Sequence, residues 1–201
     1  MINNTQDIDR TITTKFIEPL EKSCKNSVKR LKTAKVKHIE SIRLINQAYK
    51  TIKNSEKNLN NYNFVDSYTL LRASLEYIVM SYMIEVEENT YNEFLILSNN
   101  DIKLERKYTV INTVLQKFGK RLNKISNNLF TDTTVKQREK IMVDLYDILC
   151  KYTHASIVVS TFNEIEDKNE QKVVKLILSY NLYLIKLILL DCLRFFNNDD
   201  K

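Results

Sequence analysis

Residues 66–84 read DSYTLLRASLEYIVMSYMI, and residues 144–160 read DLYDILCKYTHASIVVS. Both segments are mostly apolar, and each carries an embedded basic residue, Arg72 in the first and His154 in the second. A charged group on an apolar helix is costly unless it is paired or hydrogen-bonded. The two segments therefore predict helices that pack together around either a buried polar network or an active site.

The residue composition predicts an all-α fold. The 201 residues include one Gly and one Pro, against average contents of about 7% and 5%. Sheets need turns, and turns favour Gly, Pro, Asn and Asp; here clusters of Asn, such as residues 58–63, supply the chain breaks. We expect residues 1–201 to form one domain, an antiparallel helical bundle of about five to seven helices. Residues 1–57 would be a basic N-terminal helical pair or one long bent helix, with Pro19 as a kink.

Apolar periodicity places the individual helices. The predicted ranges are 7–31, 35–57, 64–87, 90–97, 101–125, 133–162 and 170–196. The last contains LILSYNLYLIKLILL, but Ser179, Asn181 and Lys186 interrupt it, which favours a buried bundle helix or a dimer interface over a membrane span. Asn181 shares a face with apolar residues, so it needs a hydrogen-bonding partner.

Several kinds of site are excluded or unsupported. Gly119 alone cannot build the glycine-rich loops that cradle phosphates. Three widely spaced cysteines exclude a zinc ribbon, and no HExxH motif or GxSxG elbow is present. The sequence therefore predicts neither a metal site nor a cofactor. The first residues, MINNTQDIDR, contain no apolar signal region, so we expect a cytoplasmic protein.

The formal net charge is +6, and lysines crowd residues 22–43. This pattern fits a phosphate-binding surface or a solvated helix face about equally well. In the first interpretation, Lys25, Lys29, Lys32 and Lys151 bind nucleic acid. Few aromatic residues interleave with the lysines, so base stacking is not expected.

Arg72 and Glu76 are four residues apart and can pair along one helix. The pair either locks helix packing or holds a guanidinium ready for a phosphate. Helix 133–162 is predicted to be apolar nearly all round, with His154 flanked by Asp147. His38 has no supporting residues around it and is expected to be exposed.

The segments LLRASLEYI and LYDILCKYTHAS resemble HEPN-like all-α bacterial proteins, a superfamily of phage-defence, abortive-infection and toxin–antitoxin systems. The matching positions are Arg72 and Glu76, followed by Tyr146, Leu149, Tyr152 and His154. The resemblance implies a bundle that dimerises. In active members it implies metal-independent RNA cleavage by an Arg and a His. In the usual motif four to six residues separate that Arg from the His on one helix, and here the positions for the Arg hold Leu149, Ile148 and Asp147.

Two functions remain open from the sequence. In the first, the chain is a HEPN-like defence or toxin component that acts on RNA, with Arg72, Glu76 and His154 as catalytic residues if it cleaves RNA. In the second, it is a non-catalytic interaction subunit that binds a partner effector protein. Self-association as a homodimer is expected in the first and is compatible with the second.

Overall fold

The computed structural model describes residues 18–97, 104–125, 134–153, 165 and 167–197. These residues form seven α-helices and contain no strand, which confirms the predicted all-α helical bundle. The helices are α1 (Glu18–Arg30), α2 (Ile39–Asn60), α3 (Phe64–Val86), α4 (Glu88–Leu97), α5 (Leu104–Ile125), α6 (Val135–Lys151) and α7 (Lys168–Asn197). A short 3-10 turn, Leu31–Thr33, follows α1.

Helix α3 is the centre of the bundle and packs against α2, α4, α5, α6 and α7. Its sequence is apolar around most of its circumference, so it buries residues on several faces, among them Leu71, Met83 and Ile84. It forms a close antiparallel hairpin with α2, in which the Ser55 and Ser67 hydroxyls lie 2.8 Å apart. The turn between them has a left-handed residue at Tyr62 (φ 61°), not at one of the neighbouring asparagines.

Helices α5 and α6 form a second close pair. The crossing point is Gly119, where an added Cβ would lie 2.8 Å from the Glu139 Cα. The single glycine of the chain therefore serves helix packing.

Helix α6 differs from the predicted helix 133–162. It begins with a capping box between Thr134 and Gln137 and ends at Lys151, where the Thr153 hydroxyl donates to the Cys150 carbonyl at 3.1 Å. Residues 154–164 lie outside the described part of the chain. Within residues 135–151 the helix is also not buried on all its apolar sides, because Ile141 and Ile148 are exposed.

Residues 18–57 are not one helix, because the 3-10 turn and an extended link separate α1 from α2. Pro19 lies in the first turn of α1, where proline fits without a lost hydrogen bond. Helix α1 packs mainly on α7. The proposed helical residues 7–17 lie outside the described residues.

The N-terminus of α2 is capped by a distant side chain. The Glu85 carboxylate accepts hydrogen bonds from the backbone N–H groups of Lys37 (2.5 Å) and His38 (3.2 Å) and from the Ser41 hydroxyl (2.9 Å). The prediction that His38 is exposed was wrong. Its side chain is 15% exposed, and its imidazole stacks on Tyr91 with ring centroids 3.8 Å apart.

Helix α7 has two unlike halves. From Leu178 onward most of its side chains are buried, whereas Val173, Leu176, Ile177 and Tyr180 are exposed. Among the described helices, α7 alone is long and apolar enough to cross a membrane, and half of its apolar window is buried inside the protein. A core helix of a soluble protein meets the same criterion, so this property is weak evidence for a membrane span.

Candidate functional site

Arg72 and Glu76 lie one turn apart on α3, as their spacing predicts. The Arg72 Nε and a Glu76 carboxylate oxygen are 3.6 Å apart. The two side chains are 23% and 29% exposed, so the pair lies at the edge of the core and is reachable from solvent. This position fits either interpretation of the pair.

Helix α6 and the turn that follows it add two contacts that order the pair. The Tyr146 hydroxyl donates to Glu76 at 2.8 Å. Arg72 donates from Nη1 to the Thr153 hydroxyl at 3.0 Å, across 81 residues of sequence. Glu76 and Thr153 thus hold the guanidinium from two sides, and the orientation of Arg72 is set by contacts both along α3 and across to α6.

The electrostatics follow from burial. Burial raises the pKa of the Glu76 carboxyl, and the Tyr146 hydrogen bond and the Arg72 charge only partly oppose it. Burial also raises the pKa of the Tyr146 hydroxyl and of the Cys150 thiol nearby. Tyr146 and Cys150 therefore stay neutral near pH 7, and Arg72 is the cation of this cluster.

The tyrosines of the predicted pattern on α6 face α3. Tyr152 stacks on Tyr68 with ring centroids 4.4 Å apart, and Leu149 is fully buried. Asn181 of α7 interacts with the Tyr68 hydroxyl, which supplies the polar neighbour expected for it. The arrangement fixes the C-terminal end of α6 against α3 and α7.

His154, the proposed proton-transfer residue, lies outside the described residues. Its neighbour in the chain, Thr153, is the residue that Arg72 contacts. Asp147, proposed to orient His154, is exposed on α6.

A cavity of about 20 Å³ lies on the α5 side of Glu76. Its other lining side chains are apolar, and it has room for about one water-sized group. No substrate fits there, so any ligand of the pair must approach from the solvent side of Arg72.

The four predicted nucleic-acid-binding lysines are exposed. Lys25 and Lys29 lie on α1, Lys32 lies on the 3-10 turn, and Lys151 is the last residue of α6. Lys25 lines a cleft between α1 and α2 together with Lys22 and Lys57, which the sequence did not single out as a group.

Sequence reasoning missed the role of Lys186. Its side chain is 1% exposed, and it pairs with Glu21 of α1 at 2.9 Å and with Glu56 of α2. The only sequence signal was a lysine inside an apolar run, which shows an interruption but not its partners.

Within the described residues, no group of three or more His, Cys, Asp or Glu side chains is arranged to hold a metal ion. Comparisons with protein-family models, with curated proteins and with solved structures find no match to this chain.

Proposed function

We propose that the chain is a HEPN-like component of a bacterial defence or toxin system that acts on RNA in the cytoplasm, and that its enzymatic form is a metal-independent endoribonuclease. The observation that carries the proposal is the hydrogen bond from Arg72 to Thr153. It joins the candidate cation to the residue next to the candidate base, although the two are 81 residues apart in sequence.

In this mechanism His154 takes the proton of a ribose 2′-hydroxyl, whose oxygen attacks the adjacent phosphorus. The P–O5′ bond breaks, and the leaving oxygen takes a proton from water, so that the products are a 2′,3′-cyclic phosphate and a 5′-hydroxyl. Arg72 neutralises the charge that develops on the phosphate. Glu76 and Thr153 act as positioning residues for the guanidinium, and no metal takes part.

The first test is cleavage of a labelled single-stranded RNA in the presence of EDTA. We expect His154→Ala and Arg72→Ala each to remove cleavage, while the exposed Arg43→Ala, which removes a similar charge elsewhere, leaves it unchanged. Circular dichroism checks that each variant is folded. Cleavage that survives His154→Ala, or that needs added magnesium, contradicts the mechanism.

The second test concerns Thr153. Thr153→Val removes the hydroxyl that holds Arg72, whereas Thr153→Ser keeps it. We expect the valine variant to lower kcat about 10-fold or more, the loss of one positioning contact, and the serine variant to stay close to wild type. Equal kcat values in the two variants would show that the Thr153 hydroxyl, and the orientation it gives Arg72, do not affect activity.

A second candidate function is that of a non-catalytic interaction subunit. The supporting observation is the exposed apolar stripe on α7, formed by Val173, Leu176, Ile177 and Tyr180. These residues follow i, i+3, i+4, i+7 spacing, which is typical of a helix face that packs on another helix. In this function the Arg72–Glu76 pair is a packing element, and the stripe binds a second copy of the chain or a partner effector protein.

A further inference from the structure

Helices α1 and α2 flank an open cleft of about 730 Å³ at the end of the bundle that carries the α2–α3 turn. This volume lies within the range of about 300–1,000 Å³ that is usual for ligand sites. Its lining residues are Glu18, Glu21, Lys22, Lys25, Lys53, Glu56, Lys57, Asn60 and Asn61.

Beneath the cleft, carboxylates and amines neutralise each other. The buried Lys186 ammonium pairs with Glu21 at 2.9 Å and with Glu56. Lys53 bridges the same two carboxylates from the cleft side, at 3.2 Å and 3.1 Å. Burial works against ionisation of Glu21, but the lysines and the Tyr49 hydroxyl hold its pKa below the ordinary 4.5. Glu21 is thus ionised near pH 7, and both carboxylates are already paired with lysines.

The other lysines of the cleft are differently placed. Lys22, Lys25 and Lys57 are exposed, and none of them forms an ion pair with a described residue. Among the described residues, and with Lys186 included, the cleft holds five lysines against three carboxylates. Its excess charge is positive and is carried by the three exposed amines.

The character of these groups indicates the ligand. Flexible ammonium groups act as point charges that bind phosphate without fixing its orientation. None of the described residues that line the cleft is aromatic, so they offer no surface for base stacking. We propose that the α1–α2 cleft binds the phosphate groups of nucleotides, and that Lys22, Lys25 and Lys57 are the residues that hold them.

The phosphates come from an RNA chain or from a free nucleotide. If RNA is the source, the inference deepens the proposed function and rests on it. If a free nucleotide is the source, the cleft is a separate site. With either source of phosphate, the cleft is the phosphate-binding element, and the rest of the basic stretch is not. Lys29 and Lys32 then contribute only a general positive charge near the site.

The test compares two triple variants with the same change in charge. Lys22→Gln/Lys25→Gln/Lys57→Gln empties the cleft of its unpaired amines. Lys29→Gln/Lys32→Gln/Lys35→Gln removes three exposed lysines of the same basic stretch that do not line the cleft. Glutamine keeps the helix propensity, and thermal melts by circular dichroism check the folding of both variants.

Binding of a fluorescent single-stranded RNA is measured by anisotropy over a range of salt concentrations. We expect the cleft variant to lose at least about 10-fold in affinity and to flatten the slope of log K against log salt by about 2, because single strands contribute about 0.7 per phosphate contact. The control variant should lose less than about threefold, since it retains these contacts. Equal losses in both variants, or no loss in the cleft variant, would overturn the proposal.

Calorimetric titration with ATP, without metal, separates the two sources of phosphate. ATP binding that disappears in the cleft variant identifies a free nucleotide as a ligand. Binding of RNA without binding of ATP identifies an RNA strand as the source of the phosphates. If wild-type protein binds neither, the cleft proposal is wrong. Cleavage by wild type distinguishes this failure from failure of the proposed function. If wild type binds RNA in the cleft but does not cleave it, the cleft proposal stands and the ribonuclease proposal is wrong.

Discussion

Lys186 shows how one side chain can tie three helices together. Its ammonium is 1% exposed and lies between a carboxylate of α1 and a carboxylate of α2. Removing one partner of a buried ion pair costs more than removing the whole group, because a charge is left without compensation. Lys186 is therefore expected to matter more for stability than an apolar residue at the same depth.

We predict that Lys186→Met lowers the free energy of unfolding by about 3–5 kcal/mol, measured by urea denaturation. The variant Lys186→Met/Glu21→Gln/Glu56→Gln should recover most of this loss, since it removes the uncompensated charges as well. Lys172→Met, on the outer part of the same helix, is the control and should change stability by less than about 0.5 kcal/mol. A mild effect of Lys186→Met would show that the carboxylates find other partners.

Glu76 gives a prediction about pH. Its pKa in the folded protein is raised above 4.5, so the folded chain keeps a proton that the unfolded chain has released. Its contribution to stability is therefore full below about pH 4.5 and is lost as pH rises through the folded-state pKa.

We expect the stability of wild type relative to Glu76→Gln to fall as pH rises above about 4.5 and to level off once pH has passed the raised pKa of Glu76 in the folded protein. Urea denaturation of both proteins at each pH measures the difference. Glu21→Gln provides a comparison of opposite sign, because the Glu21 pKa is lowered and its contribution is lost below pH 4.5. A relative stability of Glu76→Gln that does not change with pH would contradict the argument.

At the scale of elements, the crossing of α5 and α6 depends on a missing side chain. At Gly119, an added Cβ meets the backbone of Glu139 at 2.8 Å, closer than real Cβ contacts, and a backbone cannot turn aside as a side chain can. Alanine has the better helix propensity by about 1 kcal/mol, so an exposed glycine would gain from the change. Here the two helices would have to separate.

We therefore predict that Gly119→Ala destabilises the protein by about 1–3 kcal/mol, a cost typical of overpacking. Thr113→Ala, at an exposed position of the same helix, is the control and should be neutral or slightly stabilising. Differential scanning calorimetry of both variants tests the prediction. A higher melting temperature for Gly119→Ala would show that the α5–α6 contact is loose.

For the molecule as a whole, the exposed stripe on α7 is the apolar surface that needs explanation. Val173, Leu176, Ile177 and Tyr180 are 45–61% exposed along one helix face. Contiguous apolar patches of this kind mark interaction sites more often than free surface. Two copies of the stripe related by a two-fold axis between Leu176 and Ile177 would place Val173 of each against Tyr180 of the other, as a symmetric dimer requires.

We predict that the protein self-associates at tens of micromolar, roughly the range of weak dimers, and that Leu176→Glu/Tyr180→Glu makes it monomeric. Light scattering coupled to size exclusion measures the mass. Ile148→Glu, which changes an exposed apolar residue of α6, should leave the dimer intact. A monomeric wild type would leave a different partner protein as the occupant of the stripe.

The sequence predicted the helices well because apolar periodicity is a local signal. Helix α3 was placed within one residue at its C-terminal end, and the Arg72–Glu76 contact followed from i,i+4 geometry. The end of α6 at Lys151 was missed because the apolar pattern runs on past it without Gly or Pro. The contacts of Arg72 with Thr153 and of Lys186 with Glu56 join residues 81 and 130 positions apart, so they depend on helix packing that no local pattern specifies.

The cap on α2 has a consequence for the order of assembly during synthesis. The backbone amide of His38 is satisfied by Glu85, which is 47 residues later in the chain. At about 5–20 residues per second, the ribosome adds Glu85 some 2–10 seconds after His38. Until then α2 has an open first turn, so a nascent chain that stops within α3 would present a frayed helix to chaperones and proteases. The α2–α3 hairpin is complete only when the last turn of α3 has emerged.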